Sequence, residues 1–518
     1  MKFFPKSFKK NEKGQVLVIV ALTFTALVAI IGLAVDTGYL YVSYSRLRRG
    51  VDAAALAGTG EFKIPTGFTA PCAGACVTQR DANIYAATKQ MLDLNGIVAD
   101  PSSGFSDPMS GEVGISIQTC DNTPGDAVLC AAPLQKIIRV RVQEQVPLFF
   151  LAVVGWRSAP IIIESLATAA SADVMLAIDT SDSMTYDYPD GSPMRDPNAC
   201  NPHSCQPMED VKAAARTFSD HLYYPYDRLG LITFDQYATV KLALSEDISE
   251  IHNEIEDITV FEGKTGTPLV GGGTQGGKCI YYLNDPALQA EFRDLQDPVP
   301  PHASPPNTAD YAQDPYGPCR LYYYEGGPYW GMDCPMFYGT DPDPSHCGST
   351  NIGGGIDLAT RALLAQYPPS YPTPWPDIRE DSIWVLVLLT DGAANAAYDS
   401  SGNVLCPRST WTYKGFCRAL NAADPIHDKT DPDYDAQDQA RDMFITADKD
   451  NIVIYTIGMG DLVTDNPPDS TGPPPGETLL KYPESERGNG KYFFAPNGSS
   501  LDPVFLTIAD LITSRINQ

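Results

Sequence analysis

The chain has 518 residues, 64 acidic against 36 basic, and a formal net charge of −28; 43% of it is hydrophobic and 19% charged. That is too long for one ordinary core and too apolar for a disordered chain. Such acidity argues against nucleic acid as a partner, because phosphate recognition needs clustered Lys and Arg. It suits an exported protein that can hold hard cations, although most of the charge is expected to be solvated surface.

Residues Gln15 to Val35 form an uncharged, mainly apolar run. As a helix this run spans about 31 Å, one bilayer core, and it exceeds the roughly 7–15 residues of a secretory h-region. Lys2, Lys6, Lys9, Lys10 and Lys13 precede it, which predicts a cytoplasmic N-terminus; Arg46, Arg48 and Arg49 beyond it weaken the asymmetry. Helical periodicity continues through Leu40, Ser43, Leu47, Val51 and Ala54, with Gly58 as the expected stop. Gly14 before the run, Asp36 after it and the ending Asp52-Ala-Ala-Ala-Leu-Ala-Gly58 together resemble the N-terminal segment of TadG-like proteins of Tad/Flp pilus assembly. The resemblance covers Lys13 to Gly58 and departs at Arg48, where the family usually has Gln. Prepilin peptidases cut after a Gly in the position of Gly14, but Ile19 stands where pilins usually carry Glu, so an intact anchor is expected.

The predicted domains are 1–58 (tail, transmembrane helix and its extension), 59–171 (a small α/β module) and 172–518. In the module, Asp81 to Asn95 reads as a helix with Ala86, Met91 and Leu92 on one face. Val113 to Gln118 and Ile137 to Val146 alternate as strands, Pro147 to Val154 is a short apolar helix candidate, and Pro160 to Thr168 is another strand. No catalytic constellation appears there, so a spacer or packing role near the membrane is expected.

The 12 cysteines begin at Cys72 and fall into even groups: Cys72, Cys76, Cys120 and Cys130; Cys200 and Cys205; Cys279, Cys319, Cys334 and Cys347; Cys406 and Cys417. Even local groups predict local disulfides in an oxidising compartment, which places the C-terminal side outside the cytoplasm. The rival reading is a zinc site on the first four thiols.

Beyond residue 172, short apolar runs alternate with helical stretches. Val174 to Ile178 suits a buried parallel strand and ends at Asp179-Thr-Ser181-Asp-Ser183. A helix from Met208 to Leu222 leads to the strand Arg228 to Asp235, and Thr239 to Leu244 reads as an antiparallel edge. Gly348-Ser-Thr350 turns into a helix, and Asp381 to Leu389 is a buried strand ending at Thr390-Asp391-Gly392. A helix from Ala436 to Asp448, a strand from Ile452 to Gly458 and a closing helix from Leu501 to Ile512 complete an α/β doubly wound, Rossmann-like pattern. Ligands of such sheets sit at the carboxyl ends of strands, where the Asp-x-Ser-x-Ser loop falls.

Alone, that motif is usually a turn or a helix cap. In this order, however, the residues resemble the von Willebrand factor A (vWA) fold across roughly 172–518. The family's metal-ion-dependent adhesion site uses Asp-x-Ser-x-Ser, a Thr and an Asp from three loops. The matching residues are Asp179, Ser181, Ser183, Thr350 and Asp391. Hard oxygen donors of this kind suit Mg²⁺, with Mn²⁺ or Ca²⁺ as substitutes, rather than Zn²⁺. The resemblance implies that the Asp or Glu of a protein partner completes the shell.

Surplus length falls at Met184–Pro207, Glu262–Cys347, Ala393–Tyr434 and Asp461–Gly476. The insertion 262–347 is rich in Pro and Tyr, and Tyr322, Tyr323, Tyr324, Tyr329 and Trp330 are candidate partner contacts; the alternative is a decorative insert whose aromatics form its own core. Gly272-x4-Gly277-Lys278-Cys279 misses the hydroxyl of a phosphate-binding loop. Asp431-x-Asp433-x-Asp435 starts like a calcium loop but has Ala436 where Gly is required, and suits a helix N-terminus better. The six His are scattered and no Gly-x-Ser-x-Gly elbow exists, so no enzyme is expected. The functional expectation is a membrane-anchored surface or pilus-associated protein that binds a protein partner through Mg²⁺. The alternative is a structural subunit of pilus or secretion machinery whose metal face binds another subunit.

Overall fold

The computed structural model describes residues 15–98, 113–185, 200–235, 237–260, 320–323, 330–333, 350–394, 396–397, 427–430, 434–464 and 474–516. Contacts divide the chain into two units, one of 1–65 and 74–169, the other chiefly 170–516 with 66–73.

The first unit begins with α1 (Gln15–Thr59), whose N-terminal part is long and apolar enough to cross a membrane. From Asp36 onward the helix acquires a stripe of buried residues at Asp36, Ser43, Leu47, Val51, Ala54 and Gly58, with half-buried Leu40 between the first two, so that members stand three to four residues apart as one helical face requires. That face packs on α2 (Ala75–Leu94) and on an antiparallel sheet of β1 (Val113–Gln118), β2 (Lys136–Pro147) and β3 (Ser158–Ala169), with β2 in the middle. Inward Ile138, Val140 and Val142 alternate with polar neighbours, the period of a strand with one face covered. Gly58 does not stop the helix. It lies one residue inside, and a Cβ there would sit 2.5 Å from Thr88 Oγ1, so the glycine is what lets α1 and α2 approach. The apolar segment after β2 forms only a single 3₁₀ turn, Leu151–Val154. Cys120 and Cys130 are joined to each other (S–S 2.08 Å), and Cys72 and Cys76 are also disulfide-bonded, which replaces the zinc alternative.

The second unit is a six-stranded sheet in the order β11-β10-β9-β4-β5-β6. Its strands are β4 (Ala172–Asp179), β5 (Arg228–Phe234), β6 (Ala238–Ser245), β9 (Ile383–Thr390), β10 (Val453–Met459) and β11 (Gly490–Ala495). All pairs are parallel except β5–β6, which three residues join as a hairpin. Every residue of β4, β5 and β10 is buried, as expected of parallel strands covered on both faces. The helices are α3 (Met208–Ser219), α4 (Ile248–Glu256), α5 (Ile352–Leu363), α6 (Ala436–Lys449), α7 (Asp461–Thr464), α8 (Pro475–Tyr482) and α9 (Leu501–Ile516). On one face Met175 and Ala177 of β4 meet Ile352 and Ile356 of α5, Ala440 and Phe444 of α6, and Leu480 of α8. Period-2 alternation turns the other residues of β4 the opposite way, where α3 packs on α9 with the Phe218 and Phe505 rings 5.5 Å apart.

Asp435 caps α6, accepting from the N–H groups of Gln437 and Asp438, with Asp438 reaching back in a capping box; this is the helix N-terminus that the sequence favours there. Residues 431–433 lie outside the described set. Cys200 and Cys205 form a second local disulfide, whereas the six cysteines from Cys279 to Cys417 lie outside the described residues.

Candidate metal centre

Three consecutive strands of the sheet, β9, β4 and β5, end at one edge, and each delivers a carboxylate there: Asp391, Asp179 and Asp235. Asp179 is the last residue of β4 and has no solvent exposure. Beyond it the chain is pinned to β5, because Thr180 N donates to Phe234 O at 2.8 Å, and then closes a 3₁₀ turn at Asp182–Thr185. That turn brings Ser181 and Ser183 back to the strand ends. Their hydroxyl oxygens are 2.9 Å apart, and Ser183 Oγ donates to Asp391 Oδ1 at 2.7 Å. Thr350 arrives from a third loop, just before α5, and is 5% exposed. Its Oγ1 would lie 3.9 Å from a Cβ built on Gly392, which places it beside Asp391. Asn351 N donates to Asp235 O at 2.7 Å, and Asn351 caps α5 by accepting from Gly354 N at 2.8 Å, so the Thr350 loop is fixed at both its strand and its helix. The glycines that open α5 allow this closeness: a Cβ on Gly355 would sit 2.7 Å from the Phe234 ring.

The five residues singled out in the sequence therefore come together. Two further ones were missed. Thr390 Oγ1 donates to Asp179 Oδ2 at 2.5 Å, while Ser181 N donates to Oδ1 at 2.8 Å. Asp235 adds a second negative charge near Asp179. The Asp179 carboxyl is pushed up to about 6, chiefly by burial; the hydrogen bonds from Thr390 and Ser181 oppose the shift and Asp235 adds to it. Both residues occupy strand ends at the same edge, and the rule that ligands sit there was the available signal for them.

The donor set is carboxylate and hydroxyl oxygen throughout, with no thiolate or imidazole among the residues named. Such a set fits a hard divalent cation and a partly water-filled shell. Of the insertion, only a short antiparallel hairpin is described, β7 (Arg320–Tyr323) with β8 (Trp330–Asp333), in which Tyr323 pairs with Trp330 and Tyr322 with Gly331. Tyr324 and Tyr329 lie outside the described residues.

Within the second unit, whose doubly wound sheet carries this oxygen cluster at its carboxyl edge, residues 174–275 match the family described as von Willebrand factor type A domain. Residues 14–67 match the family described as putative Flp pilus-assembly TadE/G-like, so the chain carries a TadE/G-like segment followed by a vWA domain. No curated protein matches significantly. Among solved structures, proximal thread matrix protein 1 from the mussel byssus is 13% identical, with 67% of this chain and 47% of that one covered (TM-score 0.30). Its form with a zinc-occupied MIDAS motif is 15% identical over 67% and 46% (TM-score 0.30). A mutant of the PilB minor pilin from Streptococcus sanguinis is 13% identical over 80% and 81% (TM-score 0.34). The chain thus spans about half the length of the byssus protein.

Proposed function

We propose that the chain is a membrane-anchored, surface- or pilus-associated binding protein that grips a protein partner through a divalent cation held by Asp179, Ser181, Ser183, Thr350 and Asp391. Mg²⁺ is the foremost candidate, with Mn²⁺ or Ca²⁺ as substitutes. The observation that carries this reading is the convergence of oxygen side chains from three loops at one strand edge, linked from Ser181 through Ser183 to Asp391 at 2.9 and 2.7 Å. A divalent cation held by these residues would supply a Lewis-acidic centre for an anionic oxygen ligand. The residues of this chain would orient the donors and keep Asp179 and Asp391 out of bulk water, and the resemblance to vWA domains implies that one Asp or Glu of the partner completes the shell. The role is binding, without catalysis. In this reading α1 crosses the membrane with the cytoplasm on its N-terminal side, and the vWA domain lies outside the cytoplasm.

The TadE/G-like match over 14–67 favours a second version, in which the partner is another subunit of the pilus or secretion machinery. Immobilised full-length protein in detergent, exposed to pilus fractions and to surface or matrix extracts, tests both. Retention of a protein in Mg²⁺ and its release by EDTA is expected, and the source fraction separates the two versions. Retention that EDTA leaves unchanged would contradict the metal-dependent grip.

A further inference from the structure

The β2–β3 connection has an unusual tip. Pro147 to Trp156 contains no charged residue, and Phe149, Val153, Val154 and Trp156 are 58%, 86%, 76% and 70% exposed. Strand connections in water are ordinarily polar, and a clustered apolar surface marks a contact. The tip is also well ordered by its own backbone: Leu148 N donates to Arg157 O at 2.9 Å and Trp156 N to Leu151 O at 3.0 Å.

The tip is fastened to α1 at two points one helical turn apart. Asp36, 1% exposed, accepts from the backbone N–H of Phe149 (2.9 Å), Phe150 and Leu151 (2.7 Å). At Gly32, a Cβ would lie 2.8 Å from Phe150, so only glycine lets that side chain rest on the helix backbone. The Tyr39 ring adds an edge contact to Phe149 at 5.3 Å. Gly32 lies inside the apolar run Gln15 to Val35, about 4.5 Å short of its end at 1.5 Å per residue. The residues flanking it, Ile31 and Leu33, are exposed.

We infer that this tip is a second membrane-contacting element, seated in the interface of the leaflet in which α1 ends, with Phe149, Val153, Val154 and Trp156 among headgroups and upper acyl chains. The inference rests on the reading of α1 as the membrane anchor. A spanning helix sets the hydrocarbon boundary near Val35, and the fastenings at Gly32 and Asp36 hold the tip at that same depth. Its apolar surface continues the lipid-facing surface of α1, and Trp is the side chain that favours such an interface. Two contacts with one leaflet would restrict the tilt and rotation of the anchor and hold the first unit against the bilayer.

The test uses the full-length protein in phosphatidylcholine vesicles, with and without acyl chains brominated near the headgroup, beside Trp156→Phe. Flotation after an alkaline wash reports the anchor, and tryptophan emission reports the tip. Both proteins should float, and the fraction of emission quenched by brominated lipid should fall at least twofold in Trp156→Phe. Equal lipid quenching of the two floating proteins would overturn the inference while leaving the anchor intact. So would a Trp156 component shielded from brominated lipid and from aqueous acrylamide alike, because a protein would then cover the tip. Failure to float would remove the anchor reading and the inference together.

Discussion

Thr390 and Ser181 between them satisfy both oxygens of a carboxylate that has no solvent exposure, at 2.5 Å to Asp179 Oδ2 and 2.8 Å to Oδ1. Thr390→Val keeps the shape and replaces the hydroxyl donor with a methyl. A hydrogen bond to a charged group is worth about 1.5–3 kcal/mol, and about 1.4 kcal/mol is a factor of ten. Groups that orient metal ligands cost about 10–100-fold in affinity when removed, the same range. Mg²⁺ affinity should therefore drop about 10–100-fold, while Thr390→Ser, which keeps the donor, stays near wild type. The metal-free protein should lose about 1–3 kcal/mol of stability, because an interior carboxylate oxygen is left without a partner. Calorimetric Mg²⁺ titration and urea unfolding on the same preparations measure both. Unchanged affinity in Thr390→Val would refute the idea that this hydroxyl orients a metal ligand.

At the opposite edge of the sheet, Arg228 donates twice to Asp173 (2.7 and 2.6 Å) and once to Asp377 O (3.0 Å). Arg228→Met should cost about 3–5 kcal/mol in urea unfolding, because it strands a buried carboxylate; a loss below about 1 kcal/mol would contradict this. Burial pushes the Asp435 carboxyl from 3.8 to about 6. The folded state therefore holds a proton that the unfolded chain releases, and this contribution to stability is full below the unfolded value and lost as pH rises through about 6. Asp435→Asn should flatten that part of a stability–pH profile, by at most about 3 kcal/mol between pH 4 and 6, and an unaltered profile would count against it. Replacing 262–347 with a Gly-Ser linker should preserve Mg²⁺ binding and abolish partner capture, with capture of the partner at undiminished affinity as the contrary result.

The sheet was legible where strands are continuous apolar runs. Residues 174–178, 228–234 and 383–389 could hardly be anything else, and the expected antiparallel edge is β6, which follows β5 after only three residues. β11 was not read, because Gly490–Ala495 is an edge strand without alternation, only Ala495 of it being fully buried. α4 was missed because Ile248, Ile251 and Ile255 are diluted by acidic neighbours, and its real signal, Asp247 capping from N-cap to Ser249 and Glu250, is a single residue. Ser181, Ser183 and Asp179 were legible as one contiguous motif, and Thr350 and Asp391 through resemblance. Thr390 and Asp235 carry no motif of their own; they matter because parallel strands end in register, which is a property of the sheet. Gly58 misled in the same way, since a glycine that permits a helix crossing and one that ends a helix look alike until the partner helix is in place.

Magnesium titration by calorimetry of the full-length protein, beside Asp391→Ala, tests the proposed cation site most directly, with circular dichroism of both to establish that the fold is kept. Wild type should bind one Mg²⁺, displaced by EDTA, and Asp391→Ala should bind none measurably, because the variant loses one of the site's carboxylates and the acceptor of the Ser183 hydroxyl. Mg²⁺ binding of equal affinity in the two proteins would contradict the assignment of the cation to this strand edge.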